Sequence, residues 1–516
     1  MTRLQSTEIV TAAQMRAIES AAMSSGAVSG LQLMTRAGAA VVGQIRLRWP
    51  RPGRVAVLCG PGANGGDGFV IARLLAGVGW RVRMLAADHV PGADAAAARA
   101  QWRGEVLPLT AEAFDAAPLP DLCIDAIFGT GLSRPPGGAI AALLARLAEA
   151  APPLVAVDGP SGLCLDSGVL LGQGRGALSA IAPRAVLTVT FDSPKPGHLL
   201  DHGPQVCGRL VVADIGLGEF RAEARSRTVA IGPCFAHPDP SEGDWLRKTS
   251  LAQGHKFSHG AALIVAGGPS RGGAARLAAR AALRVGAGLV TLGPPAEALA
   301  EHALPPDALM RRAIEDGPAL TAALQDPRPL ALCLGPGCGL DRAATLLPAA
   351  LAAGRPLVLD ADALTVLFRL AAPRLPPACV LTPHAGEFAR LFPDLARALQ
   401  QDGRDGPCLS RAEAARQAAG RIGAVVVLKG PDTVIADPGG EVALHTDGTV
   451  PWLATAGSGD VLAGLVTGLM ARGLPPFEAA CLGVRLHAAA ARRHGPGLIA
   501  DDLIAQLPAV LADWPG

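Results

Sequence analysis

The segment Thr455-Ala456-Gly457-Ser458-Gly459-Asp460 places one carboxylate directly after a run of small residues. The apolar pattern of residues 461–470 predicts a helix that begins at this turn. The unpaired amides and the positive dipole end of such a helix can hold a phosphate group. Asp460 could then take a proton from a hydroxyl while a phosphoryl group is transferred. Alternatively, Asp460 caps the helix and the glycines only turn the chain, and these six residues leave both interpretations open.

Five further segments of the second half follow predicted strands with small or polar residues, at the edge where open α/β sheets bind ligands. They are residues 272–275, 334–339, 359–364, 381–388 and 427–430. Taken singly, a Gly-Pro-Gly turn, a histidine at a helix start such as His384 and a lysine after a strand such as Lys429 usually have structural roles. Together with the turn at Asp460, they supply amides, a cation and a base, which favours phosphoryl-transfer chemistry.

In the first half, a predicted strand over 54–59 runs into the glycine-dense turn of residues 60–68, which contains Asn64 and Asp67. This turn is not the GxGxxG pattern, so it gives little support for a Rossmann dinucleotide site. It does suit the close backbone approach of an anionic ligand. Asp125 and Asp158 stand at the ends of two later strands, which would bring them to the same turn in a parallel sheet. Each could instead cap a helix or a turn.

Both halves alternate short β-branched runs with alanine-rich amphipathic stretches, which predicts βα units on mostly parallel sheets. The predicted strands are 54–59, 81–86, 122–126, 154–157, 185–190 and 210–213, then 261–266, 289–292, 330–334, 357–359, 379–381, 424–428 and 434–436. Residues 216–251 lose this alternation and collect proline-containing turns, so we place a boundary near residue 235. We predict domains at 1–220 and 251–516 joined by a linker at 221–250, and a surface loop at 401–407. The halves share no motif, which indicates two different activities.

Composition excludes several classes of partner. The chain has 516 residues, more than one hydrophobic core usually supports. A net charge of +2, aromatics at 3% and no basic run longer than two residues argue against nucleic acid as a partner. Ten cysteines without a CxxC pair are typical of reduced, packing thiols. No apolar segment has membrane-spanning length, so we expect no membrane association and a cytoplasmic location. We also expect a homo-oligomer, although no motif of the sequence reports the oligomeric state.

The second half, from about His255 onwards, closely resembles the ADP-dependent NAD(P)H-hydrate dehydratases of the ribokinase-like superfamily. The motifs are Leu-Gly-Pro-Gly at 334–337, Asp-Ala-Asp-Ala-Leu at 360–364, Leu-Thr-Pro-His with Gly-Glu-Phe at 381–388, and the Gly-Ser-Gly-Asp turn. The resemblance implies a ribokinase-like α/β fold. It implies nucleotide contacts at Lys429, Gly430, Pro431, Asp432, Thr433 and Gly459, and hydrate contacts at Ala274, Gly337, His384 and Asp460. Trp452 departs from the glycine-methionine that the family usually has before the turn, which changes the shape of the pocket there.

The reaction implied by this resemblance uses a kinase-like site for a dehydration. The hydrated nicotinamide carries a hydroxyl at C6, and hydroxide is a poor leaving group. If Asp460 activates that hydroxyl and the β-phosphoryl group of ADP is transferred to it, phosphate can leave instead. AMP and phosphate are the by-products, and Mg²⁺ is the expected companion of ADP.

The first half, over about residues 8–218, resembles the NAD(P)H-hydrate epimerases, which implies a Rossmann-like three-layer α/β/α domain. The motifs are Asn-Gly-Gly-Asp-Gly, Phe-Gly-Thr-Gly and Asp-x-Pro-Ser-Gly, supported by residues 33–38 and 191–197. The family pattern implies a potassium ion held by Asn64, Asp125 and Ser161, whose oxygens suit an alkali cation. It implies substrate contacts at Ala63, Asn64, Gly65, Gly66, Asp67, Gly129, Thr130, Gly131, Leu132, Ser133, Arg134, Pro135 and Asp158. Asp158 is the candidate for acid/base work at C6.

Three residues depart from the epimerase pattern: Ala63 replaces an asparagine, Gly159 an isoleucine and Thr35 a glutamate. None of them removes an implied metal ligand, although loss of the side chain at residue 63 is expected to weaken substrate binding.

We therefore predict a bifunctional repair enzyme that interconverts the R and S hydrates of NADH and NADPH (NADHX and NADPHX) and dehydrates the S form with ADP. Two alternatives stay open at this point. The second half could be an ATP-dependent kinase of a vitamin or sugar hydroxyl that uses Asp460. The first half could be a binding or scaffold module that does not catalyse.

Overall fold

The computed structural model describes residues 8–88, 92–175, 182–224, 226–232, 246, 248, 255–326, 328, 330–370, 374–448 and 450–514. The chain divides into two compact units. One comprises Met1–Val229 with Ala398–Arg411, and the other comprises Ala230–Arg397 with Ala412–Gly516. Most of the predicted linker, and the predicted boundary near residue 235, lie outside the described residues.

The first unit contains a sheet whose described strands are all parallel, in the order β3-β2-β1-β4-β5-β6-β7. Its strands are β1 (Arg54–Cys59), β2 (Arg81–Ala86), β3 (Val106–Pro108), β4 (Leu122–Ala126), β5 (Leu154–Val157), β6 (Leu187–Phe191) and β7 (Arg209–Ala213). Its helices are α1 (Ala12–Ser24), α2 (Gly30–Arg48), α3 (Ala63–Gly77), α4 (Ala93–Ala100), α5 (Ala111–Asp115), α6 (Gly138–Ala150), α7 (Pro196–Leu199) and α8 (Gly203–Val206).

Helices cover both faces of this sheet, as the alternation along β1 shows. Val55 and Val57 belong to the apolar cluster that includes Phe69 of α3. Ala56, between them in sequence, belongs to a second cluster that includes Leu143 of α6. Successive side chains of a strand point to opposite faces, so both faces are buried. This is the predicted three-layer α/β/α arrangement.

The segment predicted as a surface loop at 401–407 groups with the first unit. The amide of Gly172 donates to the Asp402 carbonyl at 2.7 Å. Arg175 donates to the carbonyl of Leu409 at 2.8 Å and also to that of Leu399. Hydrogen bonds to main-chain carbonyl groups attach this segment to the first unit, and a hydrophobic pattern in the sequence does not predict such bonds.

The strands of the second unit form a mixed sheet in the order β11-β10-β9-β12-β13-β14-β15-β16-β17. Strand β8 (Thr228–Ala230) spans the division between the two units. The strands of the second unit are β9 (Ala261–Val265), β10 (Leu289–Gly293), β11 (Leu309–Arg311), β12 (Leu330–Leu334), β13 (Leu357–Leu359), β14 (Cys379–Leu381), β15 (Val425–Leu428), β16 (Asp432–Ala436) and β17 (Val442–Thr446). All neighbouring pairs from β11 to β15 in this order are parallel. Strand β16 pairs antiparallel with both β15 and β17. The predicted two-domain α/β fold is thus confirmed.

The α-helices from residue 273 onwards alternate with these strands and continue to the end of the described chain. They are α9 (Gly273–Arg284), α10 (Gly317–Leu324), α11 (Leu340–Ala352), α12 (Asp362–Arg369), α13 (Ala385–Leu391), α14 (Pro393–Leu399), α15 (Arg411–Ile422), α16 (Ser458–Ala471), α17 (Pro476–His494) and α18 (Ala500–Ala512). Among the described residues, no helix combines the length and apolar character needed to cross a membrane.

Every strand predicted from the sequence is present, and no predicted end differs from the observed one by more than two residues. The sequence missed β3, β8 and β11, which have three residues each, and β17. Three residues are too short to display a period of two. The equally short β13 and β14 were predicted because they are continuous apolar runs, whereas β3, β8 and β11 each contain a proline, a threonine or an arginine.

Helix α16 lies unusually close to α9 because glycines replace side chains at the contact. A β-carbon at Gly464 would lie 2.1 Å from the carbonyl oxygen of Ala278, and one at Gly468 would lie 2.8 Å from the Cα of Ala282. The alanines of α9 and the glycines of α16 therefore let the two backbones touch. This contact sets the position of the first turn of α16, which carries Asp460.

We predict that Gly464→Ala lowers the free energy of unfolding of the second unit by about 1–3 kcal/mol, because the new methyl group meets backbone rather than a movable side chain. Gly420→Ala is the matched control: it lies in helix α15 and has no atom within 4 Å of the added methyl group. It should raise stability by about 0.5–1 kcal/mol. Denaturant unfolding of both variants measures the difference, and equal effects would contradict this account of the contact.

Candidate active sites

The turn before α16 is held in a conformation that requires glycine. Gly457 has φ +86°, and a side chain there would meet Leu277 and Ala500. The hydroxyl of Ser458 donates to the carbonyl of Leu453 at 2.8 Å, which ties the turn to the segment before it. The N-terminal amides of α16 and the carboxyl group of Asp460 consequently share one end of the helix. The structure therefore has the geometry that the sequence predicted for this turn.

A buried histidine supports this turn from α17. His487 Nε2 lies 2.9 Å from the carbonyl oxygen of Ser458. Burial lowers the pKa of His487 to about 4, so the ring is neutral and donates its Nε2 proton to that carbonyl. The sequence analysis did not identify His487, because a histidine within an apolar helix carries no signal of what it contacts.

Two charged groups lie beside the first turn of α16. Lys429, directly after β15, places its ammonium 2.9 Å from Oδ1 of the buried Asp360, which follows β13. A β-carbon at Gly459 would lie 3.3 Å from the same Lys429 Nζ. The cation is thus next to the helix amides, where it can join them in binding a phosphate.

The electrostatic surroundings raise the pKa of Asp460 into the working range of a general base. Burial and repulsion by the Asp360 carboxylate raise the pKa of Asp460 to about 6, although the Lys429 ammonium acts in the opposite direction. A base with a pKa near the operating pH is ionised and still binds a proton strongly enough to remove it from a hydroxyl. Asp360 was part of a quoted motif, yet the sequence assigned it no role.

Two loops meet at the predicted hydrate contacts Ala274 and Gly337. A β-carbon at Gly337, where φ is +61°, would lie 3.2 Å from the side chain of Ala274. His384 caps α13: its Nδ1 accepts from the amide of Gly386 at 3.0 Å, and its side chain is 57% exposed. The Lys429 amide donates to the Pro383 carbonyl at 2.9 Å, so the His384 segment lies beside the Lys429 segment.

The remaining predicted nucleotide contacts lie in the connection between β15 and β16. The hydroxyl of Thr433 donates to the Gly430 carbonyl at 2.9 Å, which closes this connection into a tight loop after Lys429. Asp432 is the first residue of β16 and is buried, and Pro431 lies between Gly430 and Asp432 in the loop. Gly430 and Thr433 are thereby held in the loop that directly follows Lys429.

In the first unit, Asp158 occupies a constrained position immediately after β5. Its backbone has φ +65°, a left-handed value that is uncommon outside glycine and is often found at functional sites. Oδ1 accepts from the hydroxyl of Thr190 at 2.7 Å and from Lys195 Nζ at 3.0 Å. Oδ2 accepts from the amide of Thr130 at 3.0 Å. This last bond joins Asp158 to the predicted substrate loop 129–135.

Two carboxyl groups of this site have pKa values shifted in opposite directions. Burial would raise the pKa of Asp158, but the Lys195 ammonium, His198 and the hydrogen bond from Thr190 hold it below its usual range. Burial and repulsion by Asp158 and Glu19 raise the pKa of Asp67 well above its usual range. Neighbouring groups with separated pKa values are the usual arrangement for proton transfer. Lys195 and Thr190, which the sequence did not assign, determine the state of Asp158.

The predicted cation ligands lie at the same edge of the sheet. Asp125 is fully buried and accepts from the hydroxyl of Ser161 at 2.6 Å, from its amide at 2.8 Å and from the Ile127 amide at 3.2 Å. A β-carbon at Gly129 would lie 3.2 Å from Asn64 Oδ1 and 3.0 Å from Asp158 Oδ2. The structure therefore brings Asn64 and Asp158 to the same glycine, and it places Asp125 and Ser161 in direct contact with each other.

The three departures from the epimerase pattern have simple surroundings. Leu165 fills the space next to Gly159, since a β-carbon there would lie 2.6 Å from its Cδ2. Ala63 is exposed at the start of α3, and the exposed Thr35 donates to the Leu31 carbonyl at 2.7 Å. Trp452 of the second unit is 48% exposed.

Two α/β units, one with an anion-binding helix end beside a base and one with a buried carboxylate beside a glycine-rich turn, define an enzyme with two separate sites. The sequence model of the family described as NAD(P)H-hydrate dehydratase matches residues 262–508. That of the family described as YjeF-related protein N-terminus matches residues 30–197.

The whole chain is similar to proteins named bifunctional NAD(P)H-hydrate repair enzyme. It is 36% identical to that of Moorella thermoacetica, over 98% of this chain and 96% of the relative. It is 35% identical to that of Coxiella burnetii over 96% and 97%, and 33% identical to that of Escherichia coli over 93% and 89%. The chain belongs to the family of bifunctional NAD(P)H-hydrate repair enzymes. It is a bifunctional epimerase and dehydratase, and the kinase alternative is not favoured.

Among solved structures, the chain is similar to an ADP/ATP-dependent NAD(P)H-hydrate dehydratase from Bacillus subtilis that was co-crystallised with ATP and Mg²⁺. The identity is 28%, the TM-score is 0.44, and the match covers 53% of this chain and 96% of that chain.

We predict that dehydration slows as the pH falls below about 6, because Asp460 must be ionised to accept a proton and its pKa is raised to about 6. Asp360→Asn removes the carboxylate that repels Asp460, so the pKa of Asp460 should fall and the acid limb should move to lower pH. The pH profile of kcat with the S hydrate and ADP measures both. Asp341→Asn, an exposed change in the first turn of α11, is the control and should leave the limb in place. If the acid limb of the Asp360→Asn variant moves to higher pH, Asp360 does not raise the pKa of Asp460 by repulsion.

Proposed function

We propose that residues 251–516 dehydrate the S hydrates of NADH and NADPH with ADP, that residues 1–220 interconvert the R and S hydrates, and that residues 221–250 link them. The observation that carries this assignment is that Asp460 lies in the first turn of α16, together with the amide end of this helix, and that the Lys429 ammonium lies beside the same turn. The full-length similarity to bifunctional repair enzymes supports it. A cytoplasmic homo-oligomer stays a prediction from the sequence.

In the proposed dehydration, Asp460 takes the proton of the C6 hydroxyl as that oxygen attacks the β-phosphorus of ADP. The bond from the β-phosphorus to the bridging oxygen breaks, and AMP leaves with the electron pair. Phosphate then departs from C6 and a proton from C5, which restores the double bond of the dihydronicotinamide. Lys429 and the amides of α16 stabilise the charge on the phosphoryl group in transit. We expect Mg²⁺ to enter with ADP on its phosphate oxygens.

The nucleotide lies, in this proposal, against Lys429, Gly430, Pro431, Asp432, Thr433 and Gly459. The hydrate lies against Ala274, Gly337, His384 and Asp460. The contact between the Gly337 and Ala274 loops, and the bond from the Lys429 amide to the Pro383 carbonyl, support one continuous pocket for both ligands within this unit.

We predict that Asp460→Asn lowers kcat for the S hydrate by about 10²–10⁴-fold with ADP binding retained, because the change removes the base and keeps the shape and the amides. Recovery of dihydronicotinamide absorbance follows the reaction, and equilibrium binding of ADP is measured alongside. Wild-type protein given ATP instead of ADP tests the kinase alternative. No recovery with ADP would refute the proposed dehydration, and lost ADP affinity with surviving kcat would make Asp460 a binding residue.

In the proposed epimerisation, Asp158 moves the proton of the C6 hydroxyl. Removal of this proton allows the C6–N1 bond of the carbinolamine to break, with the electron pair and a proton going to N1 and an aldehyde left at C6. Attack by N1 on the opposite face of the aldehyde, with return of the proton, gives the other epimer. No atom is gained or lost, so one carboxyl group in contact with the substrate loop can serve both directions. Residues 63–67 and 129–135 hold the substrate in this proposal.

A potassium ion held by Asn64, Asp125 and Ser161 fits the chemistry of these residues. Asp125 is a fully buried carboxylate, and its recorded hydrogen-bond donors, Ile127 and Ser161, are neutral. A buried charge that lacks a cationic partner among the donors described for it is unfavourable, and a bound cation removes that penalty. Amide, hydroxyl and carboxylate oxygens suit a hard cation. The ion would supply positive charge that orders the strand ends around the substrate.

We predict that consumption of the R hydrate depends on potassium. Replacing KCl by tetramethylammonium chloride at constant ionic strength should lower the rate, since methyl groups shield the charge of this cation from oxygen ligands. Asp125→Asn should weaken the response to potassium by about tenfold or more, because loss of even an outer partner of a metal ligand has an effect of that size. Asp121→Asn, an exposed change at the opposite end of the same strand, is the control. A rate that is indifferent to potassium in wild-type protein would refute the cation site.

A further inference from the structure

Lys195 is a buried lysine in a fully polar setting. It follows β6 on the segment before α7 and is 1% exposed. Its ammonium donates to Asp158 Oδ1 at 3.0 Å, to the hydroxyl of Thr190 at 2.8 Å and to the carbonyl of Phe191 at 3.1 Å. An ammonium has three protons to donate, so these bonds use its full capacity. The side chain is therefore held in one place.

These contacts treat the two oxygens of Asp158 differently. Oδ1 accepts from both the Lys195 ammonium and the Thr190 hydroxyl, whereas Oδ2 accepts, among the described residues, from the amide of Thr130 alone. A carboxylate oxygen accepts about two hydrogen bonds. Oδ1 is occupied, and Oδ2 keeps a free acceptor position on the side of the substrate loop.

Lys195 also holds the backbone of Asp158 through His198. The Lys195 amide donates to His198 Nδ1 at 3.0 Å, which leaves the ring proton on Nε2, and Nε2 lies 2.8 Å from the Asp158 carbonyl oxygen. Burial and the Lys195 ammonium lower the pKa of His198 to about 4, so this ring is a neutral donor. The left-handed backbone of Asp158 is thus fixed from the same residue that fixes its side chain.

We propose that Lys195 is the positioning residue of the epimerase site, which holds Oδ1 of Asp158 together with Thr190 so that Asp158 moves the C6 proton through Oδ2 alone. The inference rests on the proposed role of Asp158 as the epimerase base. Lys195 itself does not touch the substrate in this proposal. Its effect on the reaction is to keep the reactive oxygen aimed at the substrate loop and ionised.

The charges around Asp158 determine the direction of the pH effect. Lys195 is the main group that lowers its pKa, with His198 acting in the same direction. Asp67 on α3 and Glu19 on α1 face it as carboxyl groups whose own pKa values are raised by burial, and the thiol of Cys207 faces it in neutral form because burial raises its pKa to about 12. Without the ammonium, the pKa of Asp158 rises. The base is then lost at a higher pH as the solution is acidified.

The test compares Lys195→Met with wild-type full-length protein, using the R hydrate as substrate. We expect kcat to fall by about 100-fold or more with KM within about threefold, because the change misplaces a base without removing a substrate contact. We expect the acid limb of kcat to move to higher pH, and Lys195→Arg to return the limb towards its wild-type position. Lys256→Met, the same change at an exposed lysine, is the matched control and should change neither quantity.

ADP-dependent turnover of the pure S hydrate by the same chain reports whether each variant is intact. If Lys195→Met does not fold, the Thr190→Val variant tests the inference instead. This change removes one hydrogen-bond donor from Oδ1 of Asp158 and keeps the charges of Lys195 and Asp158. It should lower kcat by about tenfold with KM retained. A wild-type kcat and acid limb in Lys195→Met, an effect on KM alone, or a wild-type kcat in Thr190→Val would each overturn the inference. Asp158→Asn distinguishes a failure of this inference about Lys195 from a failure of the proposed role of Asp158. If Asp158→Asn still consumes the R hydrate, the proposed role of Asp158 itself fails.

Discussion

Both sites depend on a carboxylate that is removed from water and kept beside a lysine ammonium. In the first unit the ammonium of Lys195 directly contacts Asp158, the carboxylate proposed to be reactive, and the pKa of Asp158 is held low despite burial. In the second unit Lys429 contacts Asp360 instead, and the pKa of Asp460 is raised to about 6. The same two residue types thus produce opposite shifts, because the position of the cation relative to the reacting oxygen determines the result.

The sheets make these arrangements possible. In a parallel sheet, the carboxyl ends of all strands lie at one edge, so residues far apart in sequence meet there. Asp125, Asp158 and Thr190 come from β4, the end of β5 and β6. Asp360 and Lys429 follow β13 and β15 in the second unit. Close backbone contact between α9 and α16 adds a second constraint, since it sets where the amide end of α16 meets Lys429.

Much of the fold was predictable because its elements are long enough to show periodicity. The short strands that are not continuous apolar runs, β3, β8 and β11, were not predictable. Neither was the attachment of the 398–411 segment to the first unit, which depends on main-chain hydrogen bonds. The acids at strand ends and the glycine turns were predictable because local sequence marks them. The partners of those acids were not, since Lys195 reaches Asp158 over 37 positions and His487 reaches Ser458 over 29.

The sequence by itself determined the class of chemistry: the Gly-Ser-Gly-Asp turn, the glycine-dense turn at 60–68 and the strand-end acids name an anion site, a base and a set of oxygen ligands. Residue type and local spacing suffice for that. The tertiary structure decided how each acid behaves, which oxygen of Asp158 stays free, why Asp460 has a raised pKa and which lysine serves which carboxylate. Protonation and orientation depend on burial and on charges a few ångströms away, and only folding brings those charges together.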